Sequence, residues 1–406
     1  MSPPATLIQR TDTWAPGLDA ALNPRLMAQR LGGDAPCHIL DAKYQPGGTS
    51  VVLYRVGSRL VLGVLDRDGE LETYPFPHDP QLPNMAVAFD AHEMSRALAG
   101  VLSGRVVRYT ADLVRYRPGR RCTLRLALGV ADGSGSGLRR RVLYAKLYHN
   151  PAKAAAAHAG NMMVSVTGPV RGVGFARPAG FAPDLNLLLQ EPLHGTPLEP
   201  VLGVGDGAGA AMAGIGVAAL HDLVVTGARL RPVQPALARM GARAEAVADL
   251  DPRLGAAMVE VAEGLIRRLE RLDGWGAELS LVHGDCKPSQ FLIGSSGVEL
   301  LDLDHCGIAD PASDVGDFLA SLRVLEARRP GLRAKHTAQV RRSFLDAYCA
   351  SRRSDGLRLR AGWYEAAALL RKAYRAFQRS PHSQLAPALV TAAADELAAL
   401  PGGARQ

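Results

Sequence analysis

The stretch 281–320, LVHGDCKPSQFLIGSSGVELLDLDHCGIADPASDVGDFLA, constrains this chain more than any other. It opens on a short apolar approach and then crowds His283, Asp285 and Gln290 together. A second apolar run, 298–303, delivers Asp302 and Asp304, and Asp310 and Asp314 follow. Each run is short enough to be a strand, with its polar residues where the strand ends. Such an arrangement fixes oxygen-bearing side chains on rigid supports facing one cleft.

With 406 residues the chain is too long for one ordinary core, so two or three domains are expected. A hydrophobic share of 47% and a charged share of 21% are those of a globular protein. The formal net charge of +8 suits an anionic partner such as a nucleotide, and equally suits arginines scattered over helix surfaces. There is no metal-binding cysteine pattern and no basic strand laced with aromatics, so a nucleic-acid partner is not expected. The cysteines Cys37, Cys122, Cys286, Cys306 and Cys349 are odd in number and lack paired spacing, which argues against a disulfide scaffold or zinc site and for a reducing compartment. The opening MSPPATLIQRTD lacks the apolar core of a secretion signal, and the charge-free stretches 154–170 and 207–220 are too short or too polar to span a bilayer. These features predict a soluble, cytoplasmic protein with no membrane partner.

Taken in order, residues 1–104 form a first unit. Turn signals at Pro16-Gly17 and Asn23-Pro24 precede strand-like runs at 44–56 and 59–65, joined near Gly57-Ser58. A helix is predicted over 91–102, with Asp90 as N-cap, Glu93 completing a capping box and Gly104 as the stop. The second unit, 105–190, repeats part of this pattern. Tyr116-Arg117-Pro118-Gly119 ahead of the strand-like run from Cys122 echoes Tyr44-Gln45-Pro46-Gly47 ahead of the run from Thr49, and a later strand follows each copy. Either the first unit is a degenerate duplicate that packs as a cap, or both are simply hairpins with Pro-Gly turns. The linker 132–137, DGSGSG, lacks the setting and ending of a phosphate loop and reads as a hairpin tip.

A strand at 141–148 then carries Lys146 near its end, and an alanine-rich helix covers 151–164. The run 186–190 reads as a buried strand, and 191–198, with two prolines and a glycine, suits a hinge. The third part, 191–406, is predicted to be mainly helical, over 209–224, 234–248, 253–273, 336–350, 361–378 and 384–400, interrupted by strand-like composition only at 281–303. Trp363, Ala366, Leu370, Tyr374 and Phe377 recur at helical spacing and read as core. The fold class is therefore α+β: a small β-rich lobe, a hinge, and a larger helical lobe whose β insertion carries the acids.

Phosphoryl transfer from ATP needs a cation on the phosphates, magnesium bridging them, a carboxylate to orient the attacking hydroxyl, and exclusion of water. Magnesium takes hard oxygen ligands and keeps several waters, so one carboxylate and one amide oxygen suffice. Asp285, Gln290 and Asp302 supply those groups at compatible spacing. At this point the chain resembles the aminoglycoside phosphotransferase and choline kinase group of the protein-kinase-like superfamily. The residues that carry the resemblance are His283-Gly284-Asp285, Gln290, Leu301-Asp302 and Ala309-Asp310-Pro311-Ala312-Ser313-Asp314, and it extends from about 112 to the C-terminus.

The resemblance implies a bilobal protein-kinase-like fold with an N-terminal cap, and ATP and Mg2+ as cofactors. It implies that Asp285 orients or deprotonates the substrate hydroxyl, that Gln290 and Asp302 hold magnesium, that His283 buttresses the loop and that Asp314 ties its backbone down. It places Lys146 on the phosphates and adenine against main-chain groups of Glu191 and Leu193. An Asp closing a strand is also a common cap or turn former, and that reading stands for Asp310 and Asp314. Arg120 and Arg121, at the Pro-Gly turn, either meet phosphates or are simply exposed. Asp304 and His305 either reach the site or are solvated.

Three departures matter. The family amide is usually Asn, whereas Gln290 is one methylene longer; maltokinase-like members resemble this chain in using Gln and in carrying an extra N-terminal cap. No acidic residue lies between Lys146 and Asp184 to pair with that lysine. No glycine closely follows Asp302, which implies a rigid metal loop. The expected activity is transfer to a hydroxyl of a small molecule: a sugar, amino sugar, aminoglycoside or amino alcohol. The basic 321–406 region favours a neutral or anionic sugar over an aminoglycoside. The alternative is a kinase-shaped binding protein with impaired catalysis.

Overall fold

The computed structural model describes residues 17–32, 35–45, 48–131, 137–165, 172–202, 207–271, 279–295, 297–329 and 334–401. Pro16, the Pro46-Gly47 turn and most of the 132–137 linker lie outside them. The chain packs as two compact units. One comprises Met1–Met162, Arg177–Pro192 and Gln378–Ser380, and the other Met163–Ala176, Leu193–Phe377 and Pro381–Gln406.

The first unit begins with α1 (Leu18–Ala21) and α2 (Pro24–Arg30). Asn23 caps α2 by accepting from the N–H groups of Arg25 and Leu26, and Pro24 takes the first helical position, where no N–H is needed. An antiparallel meander follows, made of β1 (Cys37–Lys43), β2 (Ser50–Val56), β3 (Arg59–Leu65) and β4 (Leu71–Pro75). Strand β2 starts at Ser50, later than the run 44–56 suggests, and Tyr44, Gln45 and Thr49 lie outside the strands. Next come α3 (Asn84–Phe89) and α4 (Ala91–Ala99). Asp90 caps α4 through the N–H groups of His92 and Glu93, both at 2.9 Å. The reciprocal half of the capping box is not made. The Asp90 N–H donates to the Val87 carbonyl of α3 instead, and Glu93 pairs with Arg96.

A second, wholly antiparallel sheet runs in the order β5 (Arg105–Arg117), β6 (Arg121–Ala131), β7 (Leu138–Tyr148), β10 (Leu187–Gln190) and β9 (Pro178–Ala182). Both of its faces are covered. Leu124 and Leu126 of β6, Leu143 and Leu147 of β7 and Leu189 of β10 pack with Met85, Met94 and Leu98 of the two helices. On the other face Tyr148 and Leu188 meet Ala154 and Ala157 of α5 (Pro151–Ser165). A leucine so buried stabilises the fold by about 2 kcal/mol.

The second unit holds a four-stranded sheet in the order β11 (Thr196–Pro197), β13 (Phe291–Gly294), β14 (Gly297–Leu300) and β8 (Val173–Phe175), with β8 parallel to β14. A small ribbon pairs β12 (Ser280–Val282) with β15 (Gly307–Ala309). Around these strands pack α6 (Leu198–Leu202), α7 (Gly207–His221), α8 (Gln234–Ala248), α9 (Pro252–Arg271), α10 (Ala312–Arg328), α11 (Ala334–Ser351), α12 (Leu357–Arg379) and α13 (Leu385–Ala399). Gly214 lets α7 approach α11, since a Cβ there would collide with the Phe344 carbonyl. Phe318 of α10 stacks on Phe344 at 3.9 Å between ring centroids and meets Phe291 edge-on at 5.9 Å, joining two helices to the start of β13. The stripe on α12 is core at Trp363, Ala366, Leu370 and Phe377, while Tyr374 is half-buried with Arg243 over its ring. No helix among the described residues is long and apolar enough to cross a membrane.

The turn between β5 and β6 is held by one carboxylate. Asp79, 5% exposed, accepts from the Tyr116 hydroxyl and the Gly119 N–H, each at 2.7 Å, and from the Gln81 N–H at 2.9 Å. Gly119 has φ +63°, and a Cβ there would strike the Gln81 amide, so the turn tolerates only glycine without moving. Asp79→Ala would leave a buried hydroxyl and a buried N–H without an acceptor. We expect it to cost about 2–4 kcal/mol in urea unfolding, with little change in denaturant slope.

Candidate active site

In the second unit the apolar β12 ends at Val282, and the chain turns sharply through His283 and Gly284. Gly284 has φ +75°, and a Cβ on it would collide with the Arg231 guanidinium and the His305 carbonyl. Arg231 donates to both the His305 and the Gly284 carbonyls from a segment that runs beside β15.

The turn rests on Asp314, in the first turn of α10 and 0% exposed. Its carboxylate accepts from the His283 N–H at 2.6 Å and the Gly284 N–H at 2.8 Å, and faces His221 Nε2 at 3.1 Å. Burial alone would raise this carboxyl's pKa, but the His221 hydrogen bond and charge, with His283 and the Gly284 N–H, outweigh it and hold the pKa below its usual range. His221, at the end of α7, is itself positioned by the Tyr348 hydroxyl at 2.8 Å. Asp310 is used structurally, accepting from the Ala312 N–H and from Arg360, each at 2.9 Å.

His283 is wholly buried. Its Nε2 lies 2.8 Å from the Leu301 carbonyl and so carries the proton, leaving Nδ1 to accept from the Asp285 N–H at 3.4 Å. The Leu301 N–H donates to the Gln290 carbonyl at 2.8 Å. Residue 301 is thus pinned at both its N–H and its C=O, and the chain passes from it into Asp302 at φ 63°, ψ 54°. This left-handed conformation is tolerated by aspartate better than by most residues, and it persists where surrounding bonds over-determine it.

These supports bring Asp285, Gln290 and Asp302 together. Gln290, 6% exposed, ends the short 3₁₀ turn Pro288–Gln290, and its Nε2 lies 3.5 Å from Asp285 Oδ2 and 3.3 Å from Asp302 Oδ2. Rotating the amide by half a turn exchanges its nitrogen and oxygen, so the same side chain can present Oε1 between the two carboxylates. Among the described residues no cluster of three His, Cys, Asp or Glu side chains suits a metal ion. Two carboxylates and an amide oxygen are instead the donor set of a hard divalent cation that keeps most of its waters.

Lys287 was not singled out from sequence, yet its ammonium forms an ion pair with Asp285 Oδ2. Burial pushes the Asp285 pKa up, but Lys287, by charge and hydrogen bond, with His283 and Arg375, overrides it and holds the carboxyl well below the usual range. His221 and Arg231 were also missed. A histidine closing a long charge-free helix is one signal that could have found His221, since it must acquire a buried partner.

The first unit carries the other candidates. Lys146 sits in the sheet opposite Leu188 of β10 and Thr123 of β6 and is only 8% exposed, so it is not the solvated edge lysine that a lone strand lysine usually is. Where a glutamate on the following helix was missing, α5 presents buried Asn161, whose Oδ1 accepts from Gln190 Nε2 at 2.7 Å. Glu191 pairs with Arg141 through its side chain, and its N–H donates to the Arg177 carbonyl at 2.8 Å. Leu193 begins a segment of the second unit and is half-buried.

Residues 152–363, just over half of the chain, match the family described as APH, phosphotransferase enzyme family. Among solved structures the chain is similar to an amicoumacin kinase, hAmiN, determined with AMP-PNP, Ca2+ and Ami. The identity is 12%, with 77% of this chain and 95% of that one covered and a TM-score of 0.53. It is also similar to a choline kinase from Cryptosporidium parvum Iowa II, at 9% identity, 71% and 88% coverage and a TM-score of 0.52. Comparison with the curated proteins finds no significant match. The chain shares the fold of these two kinases, and it belongs to the phosphotransferase enzyme family.

Proposed function

We propose that the protein transfers the γ-phosphoryl group of ATP to a hydroxyl of a small molecule, with Asp285 orienting that hydroxyl and Gln290 and Asp302 holding Mg2+. The observation that carries this reading is the convergence of Asp285, Gln290 and Asp302 around one amide. When bound there, the ion would neutralise charge on the phosphate oxygens.

The chain's own residues account for the remainder. Asp285 is held ionised at neutral pH and is therefore a weak base. Its role is to accept a hydrogen bond from the acceptor hydroxyl, align the oxygen and take the proton late, in keeping with a loose phosphoryl-transfer transition state. The Lys287 ammonium beside it would stabilise charge on the group in flight. Lys146 suits the nucleotide phosphates. Because the Glu191 N–H is already taken, its carbonyl, together with the Leu193 N–H, would be left for adenine. The amicoumacin kinase of the same fold was solved with a nucleotide analogue and a divalent cation, the same kinds of group these residues suit.

Cations act on Asp285 from α12, with Arg371 itself paired to Asp317. Arg371, Lys372 and Arg375 of α12 all act electrostatically on Asp285. Burial, reinforced by Arg371 and Lys287 against the opposing pull of Asp317 and Asp285, brings the Lys372 pKa down to about 8. Such surroundings favour a neutral or anionic sugar over an aminoglycoside.

A phosphoryl-acceptor screen with magnesium-ATP over sugars, amino sugars, aminoglycosides and amino alcohols tests the reading, and neutral or acidic sugars should rank first. Asp285→Ala should lower kcat by about 100- to 10,000-fold while the protein stays folded. Unchanged turnover in that variant would remove Asp285 from the mechanism. Asp314→Ala should cost on the order of 3 kcal/mol, because buried donors lose their acceptor. The folded-state Asp314 pKa lies below its unfolded value, so its stabilisation is present at neutral pH and is lost as pH falls through the folded value. Urea unfolding of wild type and variant should therefore converge on acidification.

A further inference from the structure

The first unit contains a cavity of about 480 Å³ that the proposed transfer reaction does not use. Its walls come from the two meanders of that unit. Strand β1 contributes Lys43 at its end, and the β5–β6 turn contributes Arg120. Arg67, just past β3, His149, just past β7, and Lys153, in the first turn of α5, also line it. The volume lies within the range of about 300–1,000 Å³ typical of small-molecule sites.

The charge of this lining is one-sided. Lys43, Arg67, Arg120 and Lys153 converge on the space, and no aspartate or glutamate among the described residues lines it. Among the described residues Lys43, Arg67 and Lys153 form no ion pair with a carboxylate, and Lys43 Nζ instead donates to the Gln45 amide oxygen at 3.0 Å. Burial, then the charges of Arg120 and Lys153, brings the Lys43 pKa down to about 8, as expected where a buried ammonium has like charges nearby. Asp79, whose partners Gly119 and Gln81 line the cavity, directs its oxygens to Tyr116, Gly119 and Gln81.

The walls are also built in advance. Asp79 fixes the β5–β6 turn, and the His149 N–H donates to the Arg120 carbonyl at 3.2 Å, fastening the end of β7 to that turn. Holding Lys43, Arg67 and Lys153 around one space with no carboxylate partner is costly unless an anion completes it, and phosphate groups are the dianions that Lys and Arg clusters meet best. We infer that this cavity is a binding site for a small phosphate-bearing polyanion, separate from the Asp285–Gln290–Asp302 cluster.

Isothermal titration calorimetry at low ionic strength, without nucleotide or magnesium, tests this with pyrophosphate and glucose 6-phosphate as probes. Either probe should bind the full-length protein, and the tighter one tells whether the site prefers an inorganic polyanion or a phosphate ester. Lys43→Ala and Lys153→Ala should each weaken binding by about tenfold or more, and Asp302→Asn should leave it within about twofold. Lys153 lies exposed in the first turn of its helix, so its variant should fold even if Lys43→Ala does not. The inference is overturned if neither probe binds, or if both lysine variants bind like wild type. It is also overturned if Asp302→Asn abolishes the binding, which would place the anion at the metal-ligand cluster.

Discussion

Burying a carboxylate completely is expensive, and Asp314 is tolerated because it meets two backbone N–H groups and a histidine ring nitrogen at once. That contact ties the first turn of α10 to the strand end that carries His283 and Gly284. From it follow the direction of the loop, the position of Asp285, and the placement of His283 against the Leu301 carbonyl. The left-handed backbone of Asp302 is the far end of the same chain of constraints. A carboxylate suits this role better than an amide, because it accepts at every lone pair and never presents a donor to a backbone N–H.

The second constraint is electrostatic. Asp285 and Asp302 lie on either side of one amide, and cations act on Asp285: Lys287 directly, with Arg371, Lys372 and Arg375 from α12. Lys287 keeps Asp285 ionised, which suits alignment of a hydroxyl more than strong base chemistry. In the proposed reaction the same cations would repel a polycationic acceptor, and one set of charges would bear on both reactivity and selectivity.

In the first unit β1–β2–β3 and β5–β6–β7 are both antiparallel meanders, with Tyr44 just past the end of β1 and Tyr116 inside the end of β5. The β5–β6 turn is rigid because Asp79 reaches it from a segment distant in sequence.

Local chemistry was legible from the chain alone. Helix periodicity located the span Gln234–Ala248 to the residue and most other long helices to within a few positions, because an amphipathic or wholly apolar stretch of that length has few alternatives, but α10 (Ala312–Arg328) was not among the predicted spans. The spacing of Asp285, Gln290 and Asp302 was readable because short strands between glycine-rich turns leave little freedom in where their ends fall. Contacts across long sequence separations were not readable. Lys287 carried no periodic signal, His221 looked like the end of an apolar helix, and Lys146 could equally have faced solvent until strands on both sides enclosed it. Sequence by itself determined which side chains could do chemistry and which local elements would hold them. Tertiary structure alone decided which charges meet, because the energy of a buried charge depends on neighbours that the order of residues does not reveal.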